Sequence, residues 1–176
     1  LGDGMGDACD PLPDHDSICD RGLLDLGTQT PFTNDNATSF GPDLPSGCDD
    51  GDGVRVRADI WYDVAFQDGT PGQLRVWVTD STFSARLALY DRLECPDMGP
   101  DVALLACSGA GEVLEFDYVP DGPDLQPTLR IGSADGSTGT GMVHVEFVPT
   151  CSADLDASGE IDTADLLMLI GAWGAC

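Results

Sequence analysis

From Val54 to Phe66 the chain alternates with a period of two. Val54, Val56, Ala58, Ile60, Tyr62, Val64 and Phe66 form one series, while Arg55, Arg57, Asp59 and Asp63 form the other, with Trp61 as its apolar exception. Successive strand residues point to opposite faces of a sheet, so the pattern predicts a strand with one buried and one solvated face. The run is thirteen residues long, more than most strands, which predicts a bend or bulge inside it. Leu74, Val76 and Val78 resume the alternation after the turn Asp68 to Gly72. Phe83/Ala85/Leu87/Leu89, Leu114/Phe116/Tyr118, Leu129/Ile131 and Val143/Val145/Phe147 supply further short runs, separated by Gly, Pro and Asp. Strands at this spacing predict a mainly β fold, a two-sheet antiparallel β-sandwich of jelly-roll-like kind. Helical periodicity appears only after residue 162. The expected division is an acidic segment at 1–16, the sandwich at 17–149 and a loop–helix unit at 150–176.

The last unit opens with DLDASGEIDTAD, Asp154 to Asp165. Set on the twelve-residue EF-hand loop, Asp154, Asp156 and Ser158 fall at positions 1, 3 and 5. Gly159 falls at 6, the carbonyl of Glu160 at 7, Asp162 at 9 and Asp165 at 12. Ca²⁺ is a hard cation that takes 6–8 oxygens, and glycine permits the sharp turn that folds them around one centre. Ile161 stands where such loops carry an apolar anchor. The other reading of the same residues is an acidic turn that caps a helix through Thr163 or Asp162. The pattern continues as LLMLIGAWG, and the whole resembles the repeat of dockerin modules, in particular the version ending many secreted planctomycete-like bacterial proteins. The resemblance implies Ca²⁺ as cofactor and a cohesin-like protein as a potential partner. Asp165 stands where an ordinary EF-hand has a bidentate Glu, and one departure counts against the cohesin: a single repeat is present where dockerins carry two.

Leu166, Leu169, Ile170 and Trp173 stand at i, i+3, i+4 and i+7, one apolar helix face. A helix of about ten residues is marginal alone in water. Burying each of those side chains is worth ~1.5–3 kcal/mol, so the face is expected to pack on the sandwich or on another chain. Cys151 and Cys176 bracket the unit, and a bond between them would contribute on the order of 3 kcal/mol.

At the other end, GDGMGDACD resembles the close of a thrombospondin type 3 repeat. Asp3, Gly4, Gly6, Asp7, Cys9 and Asp10 match its second half. The resemblance implies a second Ca²⁺ loop with ligands at Asp3, Met5, Asp7 and Asp10. One earlier ligand position would precede the chain and Leu1 occupies another, so the missing oxygens would come from Asp14, Asp16, Asp20 or a neighbouring molecule. A flexible acidic tail is the alternative.

Composition narrows the function. Asp and Glu number 32 against 7 cations, all Arg, for a net charge of −25. Nucleic acid and anionic lipid both require clustered positive charge, so neither is an expected partner. No stretch approaches the roughly 20 apolar residues of a membrane helix, and membrane insertion is not expected. Two carboxylates ~4 Å apart repel by ~1 kcal/mol in water, which favours divalent cations as counter-charge. Seven cysteines predict disulfides and an oxidising, extracellular setting. With Leu rather than Met at position 1, the chain reads as the mature or trimmed product of a secreted precursor. No Cys-x-x-Cys pair exists and His15 and His144 stand apart from the cysteines, so zinc is not expected.

The middle zone, through CDRGLLDLGTQTPFTNDNATSFGPDLPSGC, DIWYDVAF, LALYDRLEC, LLACSG and GSADGSTGTGMVHVEF, resembles the bacterial pre-peptidase C-terminal-like β-sandwich. That resemblance implies a non-catalytic secreted module with disulfides Cys19–Cys48 and Cys95–Cys107. With Cys151–Cys176 it leaves Cys9 as a free thiol or an intermolecular bond. Asn34 to Asn36 and Asp49 to Gly53 are candidate metal turns or plain solvated turns, and Asn36-Ala37-Thr38 is formally a glycosylation sequon. No G-x-S-x-G, Walker or H-E-x-x-H motif occurs, and His144 alternates with valines as a strand histidine does, so no catalysis is expected. The leading expectation is a secreted calcium-binding structural protein that self-associates into an oligomer or filament. The alternative is a monomeric module recognising a glycan or protein, with Trp61 and Trp77 as platforms.

Overall fold

The even side chains of the Val54–Phe66 run need a partner surface, and two facing sheets provide it. The computed structural model describes residues 15–39, 41–48, 55–65, 71–91, 103–119, 126–149 and 163–171. Nine strands occur among them: β1 (Gly22–Asp25), β2 (Gln29–Thr33), β3 (Arg57–Ala65), β4 (Gly72–Thr79), β5 (Ala85–Asp91), β6 (Leu104–Cys107), β7 (Leu114–Tyr118), β8 (Pro127–Ser133) and β9 (Thr140–Pro149). A 3₁₀ turn covers Ser46–Cys48 and one α-helix, α1, covers Thr163–Gly171. The first sheet runs β1-β3-β8-β5-β6 and the second β2-β9-β4-β7. The fold is a mainly β, two-sheet sandwich. Pairing is antiparallel except between β1 and β3, which run parallel from Gly22↔Tyr62 to Asp25↔Ala65.

The expected break in the long strand is present. The β3–β8 register shifts between Arg57 and Ile60, and Ala58 takes a φ of +48°. That strained backbone is held by neighbours: the Ala58 N–H donates to Ser39 Oγ at 3.0 Å, and the Ala58 carbonyl accepts from Asn34 Nδ2 at 2.8 Å. The Asp59 N–H donates to the Thr38 carbonyl at 2.9 Å. The residues following β2 thus clamp the bulge.

Between the sheets, Leu24, Ile60, Tyr62, Val64, Leu87, Leu89, Leu129 and Ile131 meet Phe32, Leu74, Val76, Leu114, Val143 and Val145. Apart from Leu24 of β1 and Phe32 of β2, these are inward positions that the period-two pattern selects. At ~25 cal/mol per Å² of apolar surface removed from water, such a core dominates the stabilisation. β1 approaches β3 closely because residue 22 lacks a side chain. A Cβ on Gly22 would lie 2.5 Å from the Tyr62 ring.

The other face of the first sheet corrects the sequence expectation. Asp59 and Trp61 belong to the series expected to be solvated, yet both are fully buried. Ile18, Leu44, Cys48 and Val56 cover that face and build a second core with Trp61, Ala88 and Tyr90. Alternation in one strand reports two faces, not whether a distant loop folds back over one of them.

The expected disulfides Cys19–Cys48 and Cys95–Cys107 are also corrected. Cys48 bonds Cys107, with Cα atoms 5.9 Å apart. The bond joins the covering loop to the edge strand β6, so it fastens the second core at its margin. Cys19 is disulfide-bonded too. Since the other two described cysteines bond each other, its partner lies outside the described residues, as do Cys9, Cys95, Cys151 and Cys176.

Candidate functional site

The two candidate calcium loops fall almost wholly outside the described residues: Asp3, Met5, Asp7 and Asp10 at one end, Asp154, Asp156, Ser158, Glu160 and Asp162 at the other. Asp165 lies in α1, in the first turn of the helix the periodicity predicts. Among the described residues, no group of three or more His, Cys, Asp or Glu is placed to hold a metal ion.

What α1 presents is the main finding at that end. Leu166, Leu167, Met168 and Ile170 are 52%, 66%, 48% and 56% exposed. Of the two ways expected for that helix to bury its apolar residues, packing on its own sandwich is not adopted by these four. A nine-residue helix with such side chains in water has little to stabilise it alone.

In the candidate turn Asn34 to Asn36, the first side chain is engaged by backbone groups. Asn34 is fully buried. Its Nδ2 donates to the Ala58 carbonyl, and its Oδ1 accepts from the Gly139 N–H at 2.8 Å. A buried amide so satisfied ties the β2–β3 connection to the start of β9. Asn36 is exposed at a φ of +65°, a conformation asparagine tolerates. Asp49 to Gly53 lie outside the described residues.

The two tryptophans separate. Trp61 is inside the second core, so it is no platform for a sugar. Trp77 lies half-buried on the outer face of the second sheet and stacks on His144, its cross-strand partner, with ring centroids 5.0 Å apart and planes 15° from parallel. His144 Nε2 lies 2.7 Å from Thr79 Oγ1. Arg75 pairs with Glu115 at 3.1 Å on the same face, and Gln73 Nε2 donates to Asp117 Oδ1 at 3.0 Å.

His15, weighed in the sequence only against zinc, has defined partners in the fold. It takes a φ of +71°, its Nδ1 donates to the Asp20 carbonyl at 3.2 Å, and its ring lies 5.1 Å from that of Tyr62. With Phe32, Tyr62, Asp80 and Met142 it lines an open cavity of about 530 Å³ at the β2 edge.

The strongest electrostatic feature was equally hidden. Arg130 on β8 donates Nε–H to Asp59 at 2.8 Å, Nη1–H to the Pro42 carbonyl at 2.8 Å and Nη2–H to the Val56 carbonyl at 2.9 Å. Its guanidinium lies 5.1 Å from the Trp61 ring centroid. Burial pushes the Tyr90 phenol above its ordinary range, against the opposing pull of the Arg130 charge. Asp135 is held below the usual carboxylate range by hydrogen bonds from the Ser137 hydroxyl and N–H. Nothing in the spacing of Asp59 and Arg130, 71 residues apart, announces their pairing.

No helix among the described residues is long and apolar enough to cross a membrane. No protein-family model matches the chain, and no curated protein matches it.

Proposed function

We propose that this chain is a secreted, non-catalytic, calcium-binding structural protein that self-associates through its C-terminal unit. The observation that carries this reading is α1: four large apolar side chains stand in water directly after an acidic loop with EF-hand spacing. Ca²⁺ at Asp154, Asp156, Ser158, Glu160, Asp162 and Asp165 would order the loop and fix the helix that follows it. A second copy then supplies the surface that the sandwich of the first does not. Contact between different surfaces of successive copies is heterologous, and it propagates as a filament unless rotation closes a ring. The charge of −25 opposes such contact, and divalent cations reduce that repulsion.

Sedimentation velocity in millimolar CaCl₂ and in EGTA tests it. The expected result is concentration-dependent association in calcium and a monomer in EGTA. A monomer at all concentrations in calcium overturns the reading.

A second reading rests on Trp77. Its ring, stacked on His144 among polar residues of an exposed sheet face, has the composition of a sugar-stacking platform. Glycan binding abolished by Trp77→Ala would favour it over self-association.

A further inference from the structure

Three of the chain's seven arginines line one cavity. Arg55, Arg57 and Arg130 surround a space of about 350 Å³ together with Ser39, Gly41 and Asp43. Arg130 forms its buried floor, and two of its guanidinium nitrogens are held by the Pro42 and Val56 carbonyls. Gly41, at a φ of +143°, allows that approach, since a Cβ there would lie 2.6 Å from the Arg130 guanidinium carbon. Arg55 reaches Asp43 only at 3.5 Å, with both side chains 61% exposed, a pairing of little strength. Arg57 is exposed and has no carboxylate partner among the described residues, whereas Arg21, Arg75 and Arg130 each have one. Among the described residues, the three guanidinium groups are matched by two carboxylates, Asp43 in the lining and Asp59 paired with Arg130. In a chain of net charge −25, a cavity whose described lining is cationic, with Arg57 unengaged among the described residues, is complementary to the molecule's own acidic segments.

We infer that this cavity receives the acidic loop Asp154–Asp165 of a second copy, an inference that rests on the self-association proposed above and names its acceptor. The loop carries five carboxylates and no cation. Glu160, which the EF-hand template uses only through its backbone carbonyl, keeps its carboxylate for another partner. Arg forks match carboxylates bidentately. The exposed apolar residues of α1 follow the loop in sequence, so a loop seated in the cavity brings them against the same neighbour.

The test titrates a synthetic peptide of residues 152–172 into the full-length chain in millimolar CaCl₂. Alongside it, the R55Q/R57Q double variant is followed by sedimentation, with its thermal midpoint as a control for folding. Both substituted side chains are exposed. The expected result is saturable, salt-sensitive peptide binding that is weakened on the order of tenfold in the double variant. An E160Q peptide should bind more weakly while retaining its calcium affinity, and wild-type association should fall as peptide is added. If wild-type chains associate in calcium and the double variant associates equally, the cavity is not the acceptor, although self-association stands. A wild-type chain that remains monomeric overturns both. Sulfate at matched charge competing as well as the peptide makes this a general anion site and overturns the second-copy occupant.

Discussion

Arg130 and Asp59 form an ion pair at 2.8 Å with side chains 1% and 0% exposed. The pair sits on the outer face of the first sheet, beneath the loop that carries Leu44 and Cys48. Two charges so buried are tolerated because further N–H groups of the guanidinium donate to the Pro42 carbonyl of that loop and to the carbonyl of Val56, which precedes β3. The pair therefore orients the covering segment as much as it neutralises charge. Removing one partner leaves the other buried without compensation, which costs about 3–5 kcal/mol. Asp59→Ala is expected to lower the midpoint of urea unfolding by that amount of free energy. A loss below ~1 kcal/mol, within the range of exposed ion pairs, would show that water reaches the site.

The Cys48–Cys107 bond closes a loop with a sequence separation of 59 residues. Chain-entropy reasoning assigns such a closure about 4 kcal/mol. Peptide mapping without reduction should recover Cys48 and Cys107 in one fragment pair. The C48S/C107S double variant should unfold at correspondingly lower denaturant, with loss of Tyr90 and Trp61 burial preceding loss of the inter-sheet core. Recovery of Cys19 with Cys48 instead would contradict the described arrangement.

How much of this was legible in the residues differs between the two cores. Ile60, Tyr62, Val64, Leu74, Val76, Leu129, Ile131, Val143 and Val145 alternate with polar neighbours, and all of them face the inter-sheet core. Even the bulge near Ala58 follows from strand length. The second core has no local signature. Ile18, Leu44 and Cys48 lie in Pro- and Gly-rich stretches without periodicity, and Asp59 and Arg130 read as surface charges because each is judged against its own strand. Short strands were equally unreadable: β2 is QTPFT, where a proline on an edge strand masks the pattern. For the candidate calcium loop the position is reversed. Its EF-hand spacing is read from Asp154 to Asp165 in the sequence, while the described residues contribute only the helix α1.

Tyr90 gives the second core a pH signature. Burial disfavours the phenolate, so the folded pKa is raised above the unfolded value of about 10. A group whose folded pKa is raised contributes its stability fully below the unfolded pKa. That contribution is lost as pH climbs through the folded pKa, because the unfolded chain releases its proton first. Unfolding free energy should therefore be level with respect to Tyr90 up to about pH 10 and decline above it. Tyr90→Phe should flatten the alkaline decline, measured by urea titrations across that range. An unchanged decline would assign it to other groups.

Calcium should act on one part of the chain and spare the other. Because Leu166, Leu167, Met168 and Ile170 of α1 are exposed rather than packed on the sandwich, ordering of the C-terminal unit is weakly coupled to the sandwich cores. A ligand stabilises only what it binds in the folded form, by about 2.7 kcal/mol at a hundredfold excess over Kd. At a dilution that holds the chain monomeric, EGTA is expected to remove the helical circular dichroism near 222 nm while leaving the thermal midpoint of the sandwich, followed by Trp61 fluorescence, within about 1 °C. Asp156→Ala should reproduce the EGTA result in the presence of calcium, since position 3 of the loop supplies a carboxylate oxygen directly to the ion. A helical signal indifferent to chelation would leave Thr163 or Asp162 as a simple helix cap. In the monomer, a sandwich midpoint that falls together with the helix would place the metal within the sandwich itself.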